Sequence, residues 1–226
     1  MAVQTVDQLG NELLFDSPPK RIVCLVPSIS ELIANYEPYI NLVGVTRFCT
    51  HPKSLRQNKA IIGGTKDPNI ELITSLQPDM IIANKEENTL EDISALQKHF
   101  PVWVSNVVTI DDALSLILQL ESLIQIPSKN QLFKSIRASF ESIDLNIKKS
   151  VAYIIWNKPL MMAGKETFIN SWIEKIGLTN VSNDDRYPET SIPELQKLKP
   201  DFIFLSSEPY PFKEKNKQEF ETNFPT

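Results

Sequence analysis

The first hundred residues alternate short apolar runs with helical patterns. Residues 21–26 form a continuous apolar run of strand length, and a helical pattern follows at once. The succession continues with further apolar runs and helical patterns at 42–45, 68–76, 79–83, 89–99 and 102–104. Strands that alternate with helices through short loops predict an α/β fold, with a parallel sheet covered by helices on both faces.

The middle of the chain has a different pattern. Residues 111–125 and 128–149 are two helical stretches with no strand signal between them and a break at Pro127. A helix over 128–149 spans roughly 30 Å, the width of a small domain. Its apolar stripe has spacings of three and four, at Leu132, Phe133, Ile136, Phe140, Ile143 and Ile147.

The α/β alternation then resumes, with strands predicted at 151–156 and 201–205 and helices at 167–176 and 193–198. A helix followed by Pro-Asp and a buried strand occurs twice, at 71–82 and 194–204. Either two related lobes or a chance similarity between two joints explains this repeat. We predict an N-terminal lobe at 1–105, a helical connector at 106–149 that includes one long helix, and a C-terminal lobe at 150–226.

Composition narrows the function classes. The chain has 226 residues, of which 42% are hydrophobic and 23% are charged, as in folded globular proteins. Its net charge of −5 gives no electrostatic reason to bind nucleic acid or an anionic membrane surface. The longest apolar run falls far short of the ~20 residues of a spanning helix. The N-terminus lacks a secretory pattern, so we expect a cytoplasmic protein if that terminus is native, and a periplasmic or cell-envelope one if a signal segment was removed.

Catalytic patterns are missing from the chain, and we predict that it is not an enzyme. There are two histidines, no G-x-S-x-G elbow and no G-x-G-x-x-G fingerprint. The segment at 164–167 differs from a phosphate loop, because Pro159 stands where its first glycine belongs. Cys24 is expected to be a buried thiol. Cys49 and His51 are either part of a metal site or a pair that packs and caps a loop.

The turn after residues 21–26 has two interpretations. Ser28 followed by Glu31 fits a capping box, in which the hydroxyl and the carboxylate satisfy backbone N–H groups of the first helical turn. Alternatively, this helix start carries partial positive charge and faces a ligand.

Read in order, seven segments carry a family resemblance. They are VDQLG at 6–10, PKRIV at 19–23, VPSISELI at 26–33, VGV at 43–45, GG at 63–64, LQPDMII at 76–82 and AGKE at 163–166. The set resembles the substrate-binding proteins of ABC importers for cobalamin, iron–siderophore complexes and haem, over about residues 5–220. PLMMAGKE at 159–166 and GLTNV at 177–181 are most similar to the cobalamin-binding branch. The resemblance implies two α/β lobes with mainly parallel sheets, one long backbone helix between them, and a ligand in the cleft.

The resemblance also implies a set of ligand contacts in loops that follow strands, where an open α/β sheet binds ligands. Arg47 and Lys85 offer charge for carboxylate, phosphate or amide groups, and Phe48 with two methionines offers apolar surface for a macrocycle. Each residue taken singly also fits packing or a solvated surface. The expected contacts are Pro27, Ser28, Arg47, Phe48, Gly64, Thr65, Asn84, Lys85, Met161 and Met162.

Acidic residues of the family's lobes dock to an ABC permease and its ATPase. Here the corresponding residues are Glu87, Glu91, Glu208 and Glu214, for which a solvated helix face is the alternative. The expected function is a receptor that captures a corrinoid for an ABC importer. The alternatives are a receptor for a ferric siderophore or haem, and a cytosolic protein that handles or senses a tetrapyrrole or metal chelate without a transporter. We expect no cofactor beyond such a ligand.

The chain differs from the family at its end, where relatives continue with another strand and helix after the helix that follows residues 201–205. We therefore expect a short second lobe that exposes a sheet edge.

Overall fold

The computed structural model describes residues 2–36, 39–127, 130–141 and 147–224. Its backbone forms two compact units. Unit 1 comprises Met1–Val107 and Asp112–Ser135, and unit 2 comprises Val108–Asp111 and Ile136–Thr226. Among the helices of the described residues, none combines the length and apolarity needed to cross a membrane.

Unit 1 begins with a hairpin that the sequence pattern did not predict, β1 (Val3–Val6) paired antiparallel with β2 (Glu12–Phe15). Asp7 holds its turn, because Oδ1 accepts hydrogen bonds from the backbone N–H groups of Leu9 (2.9 Å) and Asn11 (2.8 Å). The Asp7 Oδ2 atom accepts a third from the N–H of Val104 (3.2 Å), which fixes the hairpin to the main sheet.

The main sheet of unit 1 has five parallel strands in the order β5-β4-β3-β6-β7. Their apolar runs lack polar alternation because helices cover both faces. The strands are β3 (Arg21–Cys24), β4 (Asn41–Val45), β5 (Ala60–Ile61), β6 (Met80–Asn84) and β7 (Val102–Ser105). The helices are α1 (Pro27–Ala34), α2 (Lys53–Asn58), α3 (Ile70–Ser75), α4 (Leu90–Gln97) and α5 (Ile110–Leu123).

Two apolar clusters lie on opposite faces of this sheet. On one face, Ile22 and Ile82 pack with Ile33 of α1 and Leu120 of α5. The other face places Val23, Ile81 and Val104 against Ile73 of α3 and Leu96 of α4. Adjacent residues of one strand thus contribute to different clusters, as the pleat requires. The predicted α/β fold with a parallel sheet between helices is confirmed.

The two units divide α6 (Gln131–Glu141) between them, and this helix is shorter than predicted. Ile147 and Lys148 are outside regular structure, and Lys149 already belongs to a strand. The apolar pattern predicted the wrong C-terminal end for this helix, because Ile147 continues the helical spacing although it precedes a strand. Residues 128, 129 and 142–146, including Ile143 of the predicted stripe, lie outside the described residues. Ser135 belongs to unit 1 and Ile136 to unit 2, while the role of α6 as a rigid connector and the predicted lobe boundaries stay predictions.

Unit 2 has a mixed sheet built around β8. β10 and β12 pair with β8 in parallel, β9 pairs with it antiparallel, and β11 pairs antiparallel with β9. The elements are β8 (Lys149–Trp156), β9 (Leu160–Met162), α7 (Phe168–Lys175), β10 (Leu178–Asn180), β11 (Glu189–Thr190), α8 (Ile192–Leu198), β12 (Phe202–Leu205) and α9 (Glu214–Asn223). The short strands β9, β10 and β11 were not predicted.

Candidate functional site

The candidate site of unit 1 is the edge where its parallel strands end. Because all five strands run in the same direction, the loops after β3, β4, β5, β6 and β7 emerge at this edge. Eight of the residues expected to contact a ligand lie on these loops or directly beside them: Pro27, Ser28, Arg47, Phe48, Gly64, Thr65, Asn84 and Lys85. Their side chains have different environments. Some are exposed at the surface, and others form hydrogen bonds that hold the loops in place.

Ser28 does not cap α1. The helix begins at Pro27, its N-cap is Val26, and no side chain caps it, so the predicted capping box is wrong. Proline suits the first helical position, because an N–H there has no partner within the helix. Ser28 is therefore the second residue of the helix. Its side chain is exposed and does not cap the helix.

Arg47 forms an ion pair that the sequence did not reveal. Its Nη2 atom lies 3.0 and 2.9 Å from the two carboxylate oxygens of Asp67, and both side chains are about half exposed. The guanidinium carbon also lies 5.2 Å from the centroid of the Phe48 ring. A Cβ atom on Gly64 would collide with Asp67 Oδ1 and come within 2.9 Å of Arg47 Nη2. Glycine at position 64 therefore leaves the space that this ion pair occupies.

Asn88 connects three parts of the edge, and sequence reasoning missed it. Its buried side chain donates from Nδ2 to the carbonyl oxygens of Thr65 (2.7 Å) and Leu25 (3.4 Å). Its Oδ1 accepts from the backbone N–H of Asn84 (2.8 Å). One side chain thus holds the end of β3, the loop before α3 and the end of β6. An asparagine in a turn after a buried strand was the available signal.

Asn84 and Lys85 have different roles. The Asn84 side chain donates to Ser105 Oγ (3.0 Å) and accepts from the N–H groups of Glu86 (2.8 Å) and Glu87 (3.2 Å), so it holds the loop together. The Lys85 side chain is exposed at the edge. Lys85 therefore contributes charge, whereas the polar atoms of Asn84 are already engaged.

The four acidic residues expected to dock a permease also differ. Glu91, Glu208 and Glu214 are exposed, but Glu87 is half-buried. Burial raises the pKa of Glu87, as does the neighbouring Glu86, while Lys66 opposes the shift. Glu87 lies in the loop between β6 and α4, at the candidate edge of unit 1 and not on a helix face. Its assignment to docking stays a prediction that its burial does not favour.

The two cysteines are free and buried beneath α1. Cys24 Sγ donates to the carbonyl oxygen of Val26 (3.3 Å), and Cys49 Sγ contacts that of Pro27 (3.7 Å). Burial raises the pKa of Cys24 to about 12 and also raises that of Cys49, so both are protonated near neutral pH. His51 is exposed, and no group of three or more His, Cys, Asp or Glu residues in the described ranges is arranged to hold a metal ion. Cys49 is 1% exposed and packs in the same apolar cluster as Cys24.

A cavity of about 370 Å³ lies in unit 1, beside Tyr36, Tyr39 and Glu121. The buried Glu121 carboxylate accepts hydrogen bonds from the Tyr36 hydroxyl (2.8 Å) and the N–H of Asn130 (2.7 Å). These contacts join the end of α1, the body of α5 and the residue before α6, so Glu121 has a structural role.

In unit 2 the two candidate methionines have opposite environments. Met162 is 4% exposed and packs in the core with Ile154 and Leu195, whereas Met161 is half-exposed. Alternate residues of a strand face opposite sides of the sheet, so the expected ligand contact at Met162 is corrected to a core position. Next to this strand, Asn157, Lys158, Leu160 and Glu219 line a cavity of about 330 Å³.

An aromatic group at the end of β8 was also missed. Trp156 is 37% exposed, and its ring centroid lies 5.6 Å from that of Tyr210 in an edge-on arrangement. Tyr210 in turn lies 4.7 Å from Phe212. Trp156 ends a strand whose other residues are mostly buried, and only the pairing of β12 with β8 brings Tyr210 close. The sequence therefore gave little indication of this surface.

The AGKE motif is a structural turn. Gly164 passes so close to Asp184 that a Cβ atom would collide with its carbonyl oxygen. The N–H of Lys165 donates to that oxygen (2.8 Å), and Arg186 Nη1 donates to the carbonyl oxygen of Glu166 (3.0 Å). The backbone groups of this turn are thus hydrogen-bonded within the protein. The segment resembles a phosphate loop in sequence, but its backbone groups are used in a structural turn.

Comparisons with known proteins agree on one type of molecule. The family model described as "Periplasmic binding protein" matches residues 22–226. The uncharacterized ABC transporter substrate-binding lipoprotein YvrC of Bacillus subtilis is 27% identical over 88% of this chain and 68% of its own length. A vitamin B12-binding protein of Vibrio parahaemolyticus is 24% identical over 84% of this chain and 72% of its own.

The fold agrees with a solved structure as well. A possible iron-binding (periplasmic solute-binding) protein from Staphylococcus epidermidis superimposes with a TM-score of 0.76 at 20% identity, covering 92% of this chain and 84% of that one. At this identity the likeness shows the fold alone.

Proposed function

The chain belongs to the periplasmic binding protein family of substrate-binding receptors for ABC importers, and we propose that the substrate it captures is a corrinoid. The observation that carries this proposal is the Arg47–Asp67 ion pair on the ligand edge of unit 1. Binding involves no covalent step. Capture for an importer takes place outside the permease, so a cell-envelope location is part of the proposal.

The ion pair discriminates between classes of ligand. A primary amide has one acceptor and two donors, and corrinoids carry several such groups. Arg47 donates and Asp67 accepts at adjacent positions, which matches an amide. A carboxylate of haem or of a ferric chelate meets repulsion from Asp67 at the same place. The pair therefore favours amides over carboxylates.

Apolar surface is available in each unit. Phe48 is 51% exposed beside Arg47 in unit 1, and Trp156, Tyr210 and Met161 offer flat or adaptable apolar surface in unit 2. Side chains of this kind pack well against a macrocycle with a large apolar face. We propose Phe48 as a contact within unit 1, with Lys85 available to the phosphate that complete corrinoids carry, and Trp156 and Met161 as candidate contacts within unit 2.

A ferric siderophore or haem is the second candidate, favoured by the exposed charge of Lys85. The named relatives include both a vitamin B12-binding protein and a possible iron-binding protein, so the comparisons leave both classes available. A protein that handles or senses a chelate without a transporter has the same binding test and differs in lacking a permease partner.

Titration calorimetry and visible absorbance test the ligand. We expect cyanocobalamin to bind with a dissociation constant in the micromolar range or tighter, about −8 kcal/mol or better. Haemin and ferric citrate should bind at least about tenfold more weakly, a difference of about 1.4 kcal/mol. Tight binding of haemin with no signal from cyanocobalamin contradicts the corrinoid proposal. No signal with any of the three contradicts the receptor proposal as well.

Docking to a permease is a separate proposal. We propose three exposed acidic residues for it, Glu91, Glu208 and Glu214. Reversing Glu91 and Glu214 to lysine should leave ligand binding unchanged. The same change should reduce the ATP hydrolysis that the liganded protein stimulates in its reconstituted importer. Unchanged stimulation in the double variant contradicts these docking positions.

A further inference from the structure

The cavity of about 370 Å³ in unit 1 lies at the opposite end of α1 from the candidate edge. α1 begins at that edge with Pro27, whereas the cavity is lined by the residues at its other end, Asn35 and Tyr36. A helix of this length spans about 12 Å. The volume falls within the range of about 300–1,000 Å³ that small-molecule sites occupy. Unit 1 thus has a second place for a small molecule, separate from the candidate edge.

A buried carboxylate and a buried phenol form the floor of this cavity. Glu121 is 1% and Tyr36 is 6% exposed. The two groups that donate to the Glu121 carboxylate, the Tyr36 hydroxyl and the N–H of Asn130, are both neutral. Among the described residues, no Lys, Arg or His side chain forms an ion pair with Glu121. Since a carboxylate accepts about four hydrogen bonds, this buried group still has acceptor capacity for a cation that donates.

The helix ends around the cavity also favour positive charge. Asn35 is the C-cap of α1, and Glu121 lies in the last turn of α5. Helix C-terminal ends carry partial negative charge, and neither helix has a basic residue in its last turn. α6 contributes the opposite end of its dipole, and the residue before it, Asn130, already donates to Glu121. Two C-terminal ends and one carboxylate therefore face a single N-terminal end.

The remaining wall of the cavity is aromatic and apolar. Tyr39 lies at the rim, where its side chain is 44% exposed, and Leu132 of α6 is half-buried. A tyrosine ring attracts a cation over its face, and a leucine packs against apolar carbon. The described residues that line the cavity include no Lys, Arg or His. The lining thus combines an anionic floor with an apolar rim.

We propose that this cavity binds a small organic ammonium, a primary amine in its protonated form that carries an apolar group. Its nitrogen donates to the Glu121 carboxylate and to the Tyr36 hydroxyl oxygen, and its apolar group contacts Tyr39 and Leu132. Burial raises the pKa of Tyr36, as does Glu121, so this hydroxyl stays protonated near neutral pH. Its hydrogen is directed to Glu121, which leaves the hydroxyl oxygen able to accept. The proposed substrate of the protein binds elsewhere, at the candidate edge, so this site is independent of it.

Three probes of similar shape and different charge test the proposal by titration calorimetry at pH 7. We expect phenethylamine to bind with a dissociation constant of about 1 mM or tighter. The neutral 2-phenylethanol should bind at least about tenfold more weakly, and Glu121 should exclude 3-phenylpropionate by repulsion. Phenethylamine should shift the backbone amide NMR signals of Asn35, Tyr39 and Gln131, which line the cavity. Equal affinity for the three probes, no binding of phenethylamine at about 10 mM, or shifts confined to residues outside the cavity overturns the proposal.

Two variants and a matched control locate the contacts. Glu121→Gln keeps the shape of the side chain and an acceptor for Tyr36 but removes the charge, so phenethylamine should bind at least about tenfold more weakly. Tyr39→Ala should weaken binding about threefold and keep the circular dichroism of the unchanged chain, because this side chain is partly exposed. Phe202→Ala is the control, since Phe202 is an aromatic residue of unit 2 with a similar exposed fraction, 43%, and it should leave the affinity unchanged.

The comparison of Tyr39→Ala with Phe202→Ala decides the proposal even where Glu121→Gln does not fold, because both of its substitutions are at partly exposed positions. An equal effect of these two substitutions on phenethylamine binding overturns the proposed site. The same conclusion follows from a folded Glu121→Gln protein that binds phenethylamine as tightly as the unchanged chain.

Discussion

The main sheet of unit 1 is buried on both faces and its five strands all run in one direction, whereas the sheet of unit 2 is mixed and leaves one face of β12 open. The two sheets therefore present different kinds of surface. The parallel sheet gathers every loop after a strand at one edge, where buried groups such as Asn88 hold the loops in place. The mixed sheet instead presents exposed aromatic side chains, at Trp156 and along β12.

A large effect is expected at Asn88, the residue that holds the loops at the candidate edge of unit 1. Asn88→Ala leaves the N–H of Asn84 and the carbonyl oxygens of Thr65 and Leu25 without this partner. We expect a loss of about 3 kcal/mol in the free energy of unfolding, because unsatisfied buried polar groups cost about 1–3 kcal/mol each. Urea unfolding measures the loss, and amide exchange should accelerate at residues 63–67.

A control for this prediction is Asn183→Ala, which changes an exposed asparagine in a loop of unit 2 and should cost under about 0.5 kcal/mol. Equal losses in the two variants would show that the three hydrogen bonds of Asn88 contribute little. In that case the loops of unit 1 are held by their apolar residues alone.

The adjacent methionines of β9 allow a matched comparison within unit 2. Met162→Ala should lower the free energy of unfolding by about 2–4 kcal/mol, because it opens a cavity in the core. Met161→Ala should cost less than about 1 kcal/mol, since its side chain is half-exposed. Only Met161→Ala should weaken cyanocobalamin binding in a protein that is still folded. A large stability loss at Met161 with none at Met162 would reverse the assigned orientation of β9.

How far the sequence predicts this protein depends on the range of the interactions. Strands β3, β6 and β7 were predicted because they are buried on both faces, and their apolar residues form uninterrupted runs. β9, β10 and β11 have two or three residues each, too few for a period to show. The family resemblance named loops that lie at one edge of the unit 1 sheet, but it did not reveal their organisation.

The missed residues share one property, which is that their partners are distant in sequence. Asp67 lies twenty positions from Arg47, and Asn88 lies twenty-three from Thr65. Tyr210 reaches Trp156 only through the pairing of β12 with β8. Local patterns cannot report such contacts. Met162 shows the opposite error, because a motif that resembles a binding segment also supplies a core side chain.

A smaller effect is expected at the ion pair of unit 1. Gly64→Ala should displace the Asp67 carboxylate from Arg47 and lower cyanocobalamin affinity about tenfold, or about 1.4 kcal/mol, with little change in stability. Asp67→Ala removes the colliding oxygen and the partner that holds the Arg47 guanidinium beside the added Cβ atom, so Gly64→Ala added to it should have little further effect. The coupling in this double-mutant cycle is the measurement. Additive losses would show that Gly64 acts on the backbone and not through the ion pair.

The smallest expected effects concern pH, where two carboxyl groups give the units opposite responses. Burial raises the pKa of Glu87 in unit 1 above its usual value of 4.5. The folded state therefore binds this proton more tightly than the unfolded state, and the stability that it contributes is present below pH 4.5 and lost as the pH rises through the raised value. In unit 2 the hydrogen bond from Lys149, with those from Ser150, lowers the pKa of Asp201 to about 2 from 3.8.

The contribution of Asp201 therefore has the opposite sign: it is present above pH 3.8 and lost as the pH falls toward about 2. Glu87→Gln should flatten the dependence of unfolding free energy on pH above 4.5, and Asp201→Asn should flatten it below 3.8. Each variant should leave the other window unchanged, because the two groups titrate in different ranges and belong to different units. A Glu87→Gln protein with an unaltered profile above pH 4.5 would show that this carboxyl is hydrated in the folded state. The candidate edge of unit 1 would then be more open to water than the half-buried position of Glu87 indicates.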